Sequence, residues 1–112
     1  MREAGSFRLV LVTAGSEEEA AKIARALVEE RLAACANIVP KIRSVYRWQG
    51  KIEDDAEALL LIKTAEALLP ALEARVRELH SYDVPEVIAL RLDQGSGPYL
   101  DWLAESCGPS SE

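Results

Sequence analysis

The spacing of apolar positions changes along the chain, and each change predicts a different element. Phe7 to Thr13 is a continuous β-branched and apolar run, which predicts a buried first strand. Ser16 and Glu19 then have the spacing of a capping box, which predicts the start of a helix that ends near Ala33 or Ala34. The apolar face of this helix is predicted to comprise Ala20, Ile23, Ala24, Leu27 and Val28.

A period of two replaces the helical period from Asn37 to Trp48 and predicts a long strand. Pro40 has no amide hydrogen to donate to a neighbouring strand, so it marks a bulge or an edge position. Gln49-Gly50 predicts a hairpin turn, and the return strand runs from Lys51 to Lys63. We expect one face of the first arm to carry Ile38, Pro40, Ile42, Tyr46 and Trp48.

The last third of the chain predicts a helix, a strand and a short terminal helix. The second helix begins just before Pro70, because proline is tolerated only in the first turn. His80 to Pro85 forms a loop, Glu86 to Leu92 is the last core strand, and Tyr99 to Leu103 is the terminal helix. The order β-α-β-β-α-β predicts an α+β, ferredoxin-like sandwich with a long middle hairpin. We expect one domain over residues 1–112, with an ordered core over about residues 7–107.

The middle hairpin is longer than a sheet of this kind requires. Each arm has roughly a dozen residues and spans about 40 Å at ~3.3 Å per residue, about twice the length of a typical core strand. Its tip carries Tyr46, Trp48 and Ile52, and an exposed apolar hairpin of this kind indicates an interface. We therefore predict that the chain is a subunit of a homo-oligomer.

Composition and charge restrict the partners. The chain has 112 residues, of which 49% are hydrophobic and 29% charged, as in a folded globular domain. Its net charge of -6 disfavours binding to nucleic acid or to an anionic membrane. The first residues lack the apolar core of a signal peptide, and no apolar run is long enough to span a bilayer. We expect a cytoplasmic protein without nucleic-acid or membrane partners.

Neither the cysteines nor any motif indicates catalysis. Cys35 is interpreted as a buried inert thiol and Cys107 as an exposed thiol in a polar tail, with no role assigned to either. The sequence has no glycine-rich phosphate loop, no GxSxG and no HExxH. We predict that the protein is not an enzyme and requires no cofactor.

His80 is the first candidate for a binding site. It is the only histidine of the chain, and Asp83 and Glu86 follow closely in sequence. A histidine with carboxylates is able to bind copper or zinc, so His80 and Glu86 are the candidate metal ligands. The alternative is a loop histidine that is hydrogen-bonded to the main chain.

Two further groups of residues have a binding and a structural interpretation. Tyr46, Trp48 and Tyr82 either line a pocket with Lys63, whose ammonium would attract a carboxylate or phosphate, or pack between subunits. Lys63 ends an apolar strand, and we expect it to pair with Glu57 or Glu86. The acidic stretch from Glu53 to Glu57 either collects hard cations or is a solvated strand segment that prevents edge aggregation; we favour the latter.

Five segments of the chain form an ordered set of motifs: Ala26 to Pro40, Ser44 to Gly50, Ile62 to Thr64, Leu79 to Tyr82, and Val84 to Glu86. Together they resemble the CutA family of divalent-cation tolerance proteins, over about Phe7 to Leu103. The resemblance implies a ferredoxin-like subunit in a homotrimer, with a role in tolerance of copper and other divalent cations and no established reaction. The architecture is also similar to the trimeric PII signalling proteins, so the alternative is a signalling or scaffold protein with a ligand or partner in its inter-subunit clefts.

The resemblance also implies a metal-ligand set, which this chain carries only in part. Some members have a proposed copper-binding cysteine on the first strand, where this chain has Val12. Paired histidines of those members correspond here to Leu79-His80, and the family's His-Pro-Tyr appears as His80-Ser81-Tyr82. Glu86 is the proposed ligand that this chain retains, with His80 as its neighbour.

Overall fold

The predicted order of strands and helices is present, with one short strand added near each end of the chain. The computed structural model describes residues 1–109, so the last residues of the predicted domain lie outside the described part. The strands are β1 Arg2–Glu3, β2 Phe7–Ala14, β3 Cys35–Trp48, β4 Lys51–Ala65, β5 Ile88–Arg91 and β6 Gln94–Gly95. The helices are α1 Glu17–Glu29, α2 Leu69–Leu79 after a 3-10 turn at Glu66–Leu68, and α3 Gly97–Ser106.

A four-stranded antiparallel sheet in the order β3-β4-β2-β5 forms the centre of the fold. Helices α1 and α2 pack on one face of it, since their apolar residues share a cluster with alternate residues of β2 and β4. Full burial of each such side chain contributes about 1.5–3 kcal/mol. The fully buried residues include Val10, Val12, Ile23, Leu27, Leu60, Ile62, Leu72 and Val76.

Helix α1 begins as predicted but ends earlier. Oγ of Ser16 accepts a hydrogen bond of 3.1 Å from the N–H of Glu19. The predicted end near Ala33 or Ala34 is wrong, because Arg31 has a φ of 60° and stops the helix after Glu29. This early stop also leaves Val28 at the edge of the apolar face, 40% exposed.

The capping at the end of α1 is a Schellman motif. The N–H of Leu32 donates to the carbonyl of Leu27 at 2.9 Å, and the N–H of Arg31 donates to the carbonyl of Val28 at 3.1 Å. The guanidinium of Arg31 also donates to the carbonyls of Gly108 and Glu105, at 2.7 and 2.6 Å. The turn after α1 therefore holds the end of α3.

Strand β3 contains the bulge that Pro40 predicts, and this bulge reverses the faces of the strand. Val39 pairs with Leu59 of β4, whereas Ile42 pairs with Glu57, so β3 has one extra residue in this interval. Ile38 pairs with the buried Leu60 and so faces the helices. The prediction that Ile38 shares a face with Ile42, Tyr46 and Trp48 is wrong, because a one-residue shift moves a side chain to the opposite face.

The face of the sheet opposite α1 and α2 carries six apolar residues of β2, β4 and β5, which we call the open face. Cross-strand pairing places Leu9 beside Leu90, and Leu11 beside both Leu61 and Ile88. Strand β5 is a short edge strand, where Ile88 and Leu90 are 51% and 45% exposed, so the prediction of a buried core strand over Glu86 to Leu92 is wrong for the single chain. The open face comprises Leu9, Leu11, Leu59, Leu61, Ile88 and Leu90.

The environments of both cysteines differ from those predicted. Cys107 is buried against Leu103 and Ala34, and its thiol donates to the carbonyl of Leu103 at 3.3 Å. Cys35 is half-buried at the start of β3, and both thiols are free. Cys107 becomes buried because α3 continues past the predicted Leu103 and packs its last turn on the end of the sheet.

Candidate functional site

A cleft of about 960 Å³ lies between the first arm of the hairpin and the loop that follows α2. The bulge at Pro40 turns the side chains of Ile42, Tyr46 and Trp48 toward it. Strands β2 and β4 contribute Leu11, Thr13, Glu57 and Leu59. The loop after α2 contributes Tyr82, Asp83, Val84 and Glu86.

Glu57 is the most buried ionisable residue of the cleft. It is 8% exposed, and its Oε2 accepts a hydrogen bond of 2.9 Å from the Tyr82 hydroxyl. Within residues 1–109 the Glu57 side chain has no other hydrogen bond and no salt bridge with a cation. The sequence analysis identified Glu57 only as a partner for Lys63 and as part of the acidic stretch.

Both tyrosines of the cleft donate hydrogen bonds to carboxylates. Burial, the bond to Glu57 and the negative charge of Glu57 raise the pKa of Tyr82 far above its ordinary value. The bond from Tyr46 to Asp55, at 3.1 Å, is the main cause that raises the pKa of Tyr46. Both hydroxyls therefore remain protonated at neutral pH.

Glu86 lies beside Glu57, and the two carboxylates repel each other. Burial and the negative charge of Glu57 raise the pKa of Glu86. The predicted site residues Tyr46, Trp48, Tyr82 and Glu86 thus come together in one cleft.

His80 is buried in the loop after α2, and the main chain occupies both of its ring nitrogens. Nε2 lies 2.7 Å from the carbonyl oxygen of Thr13, and Nδ1 lies 3.0 Å from the N–H of Tyr82. A carbonyl only accepts and an N–H only donates, so these partners assign the proton to Nε2. This geometry corresponds to the alternative of a loop histidine that is bonded to the main chain.

A metal ion has no ready-made site in the part of the chain that the structure describes. No group of three or more His, Cys, Asp or Glu side chains in residues 1–109 is arranged to hold one. A metal at His80 would have to replace one of its two main-chain bonds. Metal binding by His80 and Glu86 stays a prediction.

Lys63 does not line the cleft of the single chain. Its Nζ donates to Oδ1 of Asn37 at 3.0 Å and lies 5.7 Å from the ring centroid of Tyr99. The prediction that it pairs with Glu57 or Glu86 is therefore wrong. Lys63 lies six residues beyond Glu57 on β4, and its neighbours from β3 and α3 provide its contacts.

The acidic stretch is largely engaged within the hairpin. Asp54 forms a two-fold hydrogen-bonded pair with Arg43, at 2.8 and 2.7 Å, and this pairing lowers the pKa of Asp54. Asp55 accepts the Tyr46 bond. These contacts support a solvated strand segment, which was the favoured interpretation.

The fold and the site together define a class of protein. It is a small α+β domain with a long hairpin, an apolar open face and an acidic cleft that aromatic residues line. The family model described as CutA1 divalent ion tolerance protein matches residues 8–106. The chain belongs to this family.

Relatives and solved structures agree with this assignment. The divalent-cation tolerance protein CutA of Thermus thermophilus is 56% identical over 100 residues, which cover 89% of this chain and 97% of the relative. Its crystal structure superposes with a TM-score of 0.89 at 55% identity, over 91% of this chain and 99% of that one. The crystal structure of CutA1 from Oryza sativa also superposes with a TM-score of 0.89 at 50% identity, over 93% of this chain and 95% of that one.

Some relatives are longer than the matched region. Protein CutA of Mus musculus is 54% identical over 99 residues, which cover 88% of this chain but 56% of the mouse protein. The chain thus spans little more than half of that relative. In residues 1–109, none of the helices is long and apolar enough to cross a membrane.

Proposed function

We propose that this chain is a ferredoxin-like subunit of a homotrimer that serves in tolerance of divalent cations and catalyses no reaction. The names of the relatives describe tolerance of divalent cations. The sheet order β3-β4-β2-β5, with both long helices on one face, supports the ferredoxin-like description. A cytoplasmic location and the absence of nucleic-acid and membrane partners stay predictions.

The observation that supports assembly is the apolar open face. Ile88 and Leu90 lie on an edge strand and are 51% and 45% exposed in the single chain. Contiguous apolar surface of this kind marks an interface, and an unpaired strand edge invites pairing with another chain. A second copy would cover the face and remove both liabilities.

The mass in solution tests the assembly. Light scattering after size-exclusion chromatography is expected to give three times the chain mass of 12.3 kDa. Leu90→Glu places a charge on the open face and is expected to give monomers. Val28→Glu makes the same change at an exposed apolar residue of α1, on the other side of the sheet, and is expected to remain trimeric. A monomeric parent protein would contradict the proposal.

Direct metal binding is the second part of the proposal, with His80 and Glu86 as the ligands. Calorimetric titrations of the assembled protein with Cu²⁺ and with Zn²⁺ are expected to show weaker binding for His80→Ala and Glu86→Ala. The main chain uses both nitrogens of His80, so circular dichroism must first show that His80→Ala is folded. Equal affinities in all three proteins would exclude these residues as ligands.

The PII-like alternative has no specific observation in its favour. The cleft has an acidic lining that includes Glu57, Asp83 and Glu86, and Lys63 does not contribute to it. Such a lining repels the phosphates of a nucleotide and the carboxylates of most metabolites. We therefore do not put forward a nucleotide-binding role.

A further inference from the structure

Helix α3 packs on an apolar cluster that is separate from the core between the sheet and helices α1 and α2. Leu103 and Cys107 of α3 are buried in this cluster against Ala34. The partly buried residues around them are Phe7, Ala65 and Leu68. A segment that buries few apolar side chains opens at a lower free energy than the core of a protein does, so α3 is a candidate for opening by itself.

A clamp at the end of α1 holds the last turn of α3. The guanidinium of Arg31 donates to the carbonyls of Glu105 and Gly108. The N–H of Gly108 in turn donates to the carbonyl of Arg31 at 2.8 Å. Helix α1 packs on the face of the sheet opposite the open face, so this clamp is complete within one chain and does not depend on what covers the open face.

The first turn of α3 covers Lys63 of the sheet. Nζ of Lys63 lies 5.7 Å from the ring centroid of Tyr99. Alternate residues of a strand share a face, so Lys63 and Ala65 continue the side of β4 that carries Leu61 of the open face. Helix α3 therefore covers the end of that side of the sheet, and its opening would lengthen the apolar surface there.

We propose that α3 is a latch, which opens as a unit while the sheet and helices α1 and α2 remain folded and assembled. Arg31 sets how often the latch opens, because its guanidinium bonds directly to the last turn of α3. Opening uncovers Phe7 and Ala65 and releases Lys63 from Tyr99. The closed latch thus limits the exposed apolar surface on this side of the sheet. The inference depends neither on metal binding nor on the number of subunits.

The thiol of Cys107 reports the opening, because it is buried when α3 is closed. A Cys35→Ala background leaves Cys107 as the only cysteine of the chain. Dithiobis-nitrobenzoate in excess reacts with an accessible thiolate and releases one coloured thionitrobenzoate for each thiol. In the assembled protein without urea, we expect a slow reaction whose rate is independent of the protein concentration.

Arg31→Ala in the same background tests the clamp. It loses both side-chain bonds to α3 and is expected to make the reaction about tenfold faster. Arg75→Ala is the matched control, since it removes a guanidinium that bonds to Glu30 between α1 and α2. It is expected to leave the rate unchanged, because the latch opens without separating these helices.

The Cys35→Ala protein alone provides a second measurement, which keeps the test decisive if Arg31→Ala is poorly folded. In low urea, the rate of thiol reaction is expected to rise less steeply than the equilibrium constant of global unfolding, since opening of α3 exposes less surface. Equal urea dependence of the two, a rate that falls as the protein concentration rises, or an unchanged rate in a folded Arg31→Ala would each overturn the proposal.

Discussion

Oε2 of Glu19 accepts a hydrogen bond of 2.8 Å from the main-chain N–H of Ser81, although the two residues lie 62 positions apart. Oε1 of the same carboxylate accepts the N–H of Gly15 at 3.1 Å. Nδ1 of His80 lies 3.9 Å from Oε2 of Glu19. One carboxylate in the first turn of α1 thus positions the start of the loop that carries Tyr82 into the cleft.

Acidification is expected to loosen this connection. Burial alone raises the pKa of Glu19, but the hydrogen bonds from Ser81 and Gly15 and the proximity of His80 outweigh it and lower the pKa below the ordinary value of 4.5. A carboxylate whose pKa is lower in the folded state stabilises the fold above its unfolded pKa. This stability is lost as the pH falls through the folded pKa.

The thermal midpoint, followed by circular dichroism, is therefore expected to decrease between about pH 5 and pH 3. Glu19→Gln has no carboxylate to titrate, so its midpoint is expected to change less over this interval. Glu73→Gln on α2 is the matched control and is expected to keep the parent's pH dependence. If the thermal midpoint decreased equally with falling pH in Glu19→Gln and in the parent, the role of Glu19 would be contradicted.

The sequence predicts the elements of this fold well because their signals are local. Ser16 and Glu19 are separated by one helical turn, and Gln49-Gly50 occupies the hairpin turn with φ values of 50° and 80°. Pro40 marks the bulge for the same reason, since the missing amide hydrogen is a property of the residue itself.

The errors concern features that only long-range packing determines. A bulge is predictable from Pro40, but the number of residues opposite it on β4 is not, and this number sets which side chains face the cleft. Lys63 is misplaced because its partner Tyr99 comes from a helix 36 positions later in the chain. Tyr46, Trp48 and Tyr82 are candidate pocket residues in the sequence and line one cleft in the structure. Glu57 is predicted as part of a solvated strand segment, and its burial shows only once β4 and the loop after α2 are adjacent.

Thr64→Val is expected to destabilise the protein by about 1 kcal/mol, because it leaves a partly buried carbonyl without its donor. The Thr64 side chain is fully buried, and its hydroxyl donates to the carbonyl of Leu32 at 2.7 Å. Valine has nearly the same shape but has no donor. Urea denaturation measures the change, and Thr64→Ser, which keeps the hydroxyl, is expected to lose less. Equal stability of Thr64→Val and the parent would show that this bond contributes nothing.

Substitutions of Arg31 are expected to separate the cost of its backbone conformation from the contribution of its side chain. Arg31→Ala keeps the positive φ and loses the bonds to Gly108 and Glu105. Arg31→Gly loses the same bonds but adopts a positive φ without a steric penalty. Alanine is therefore expected to destabilise more than glycine, by roughly 1 kcal/mol in urea denaturation. The reverse order would show that strain at this position is negligible.

The bond between Tyr82 and Glu57 is expected to give a measurable coupling energy. It joins the loop after α2 to β4, and Glu57 has no other donor in the described residues. A double-mutant cycle with Tyr82→Phe and Glu57→Leu in urea isolates this pair, because phenylalanine cannot donate the bond and leucine cannot accept it. Because a hydrogen bond to a charged group contributes more than a neutral one and Tyr82 is partly exposed, we expect a coupling of about 1–2 kcal/mol. The matched cycle with Tyr46→Phe and Asp55→Leu probes an exposed bond of the same kind, at 3.1 Å, and is expected to give less. If the two cycles gave equal values, burial of Glu57 would not strengthen its bond.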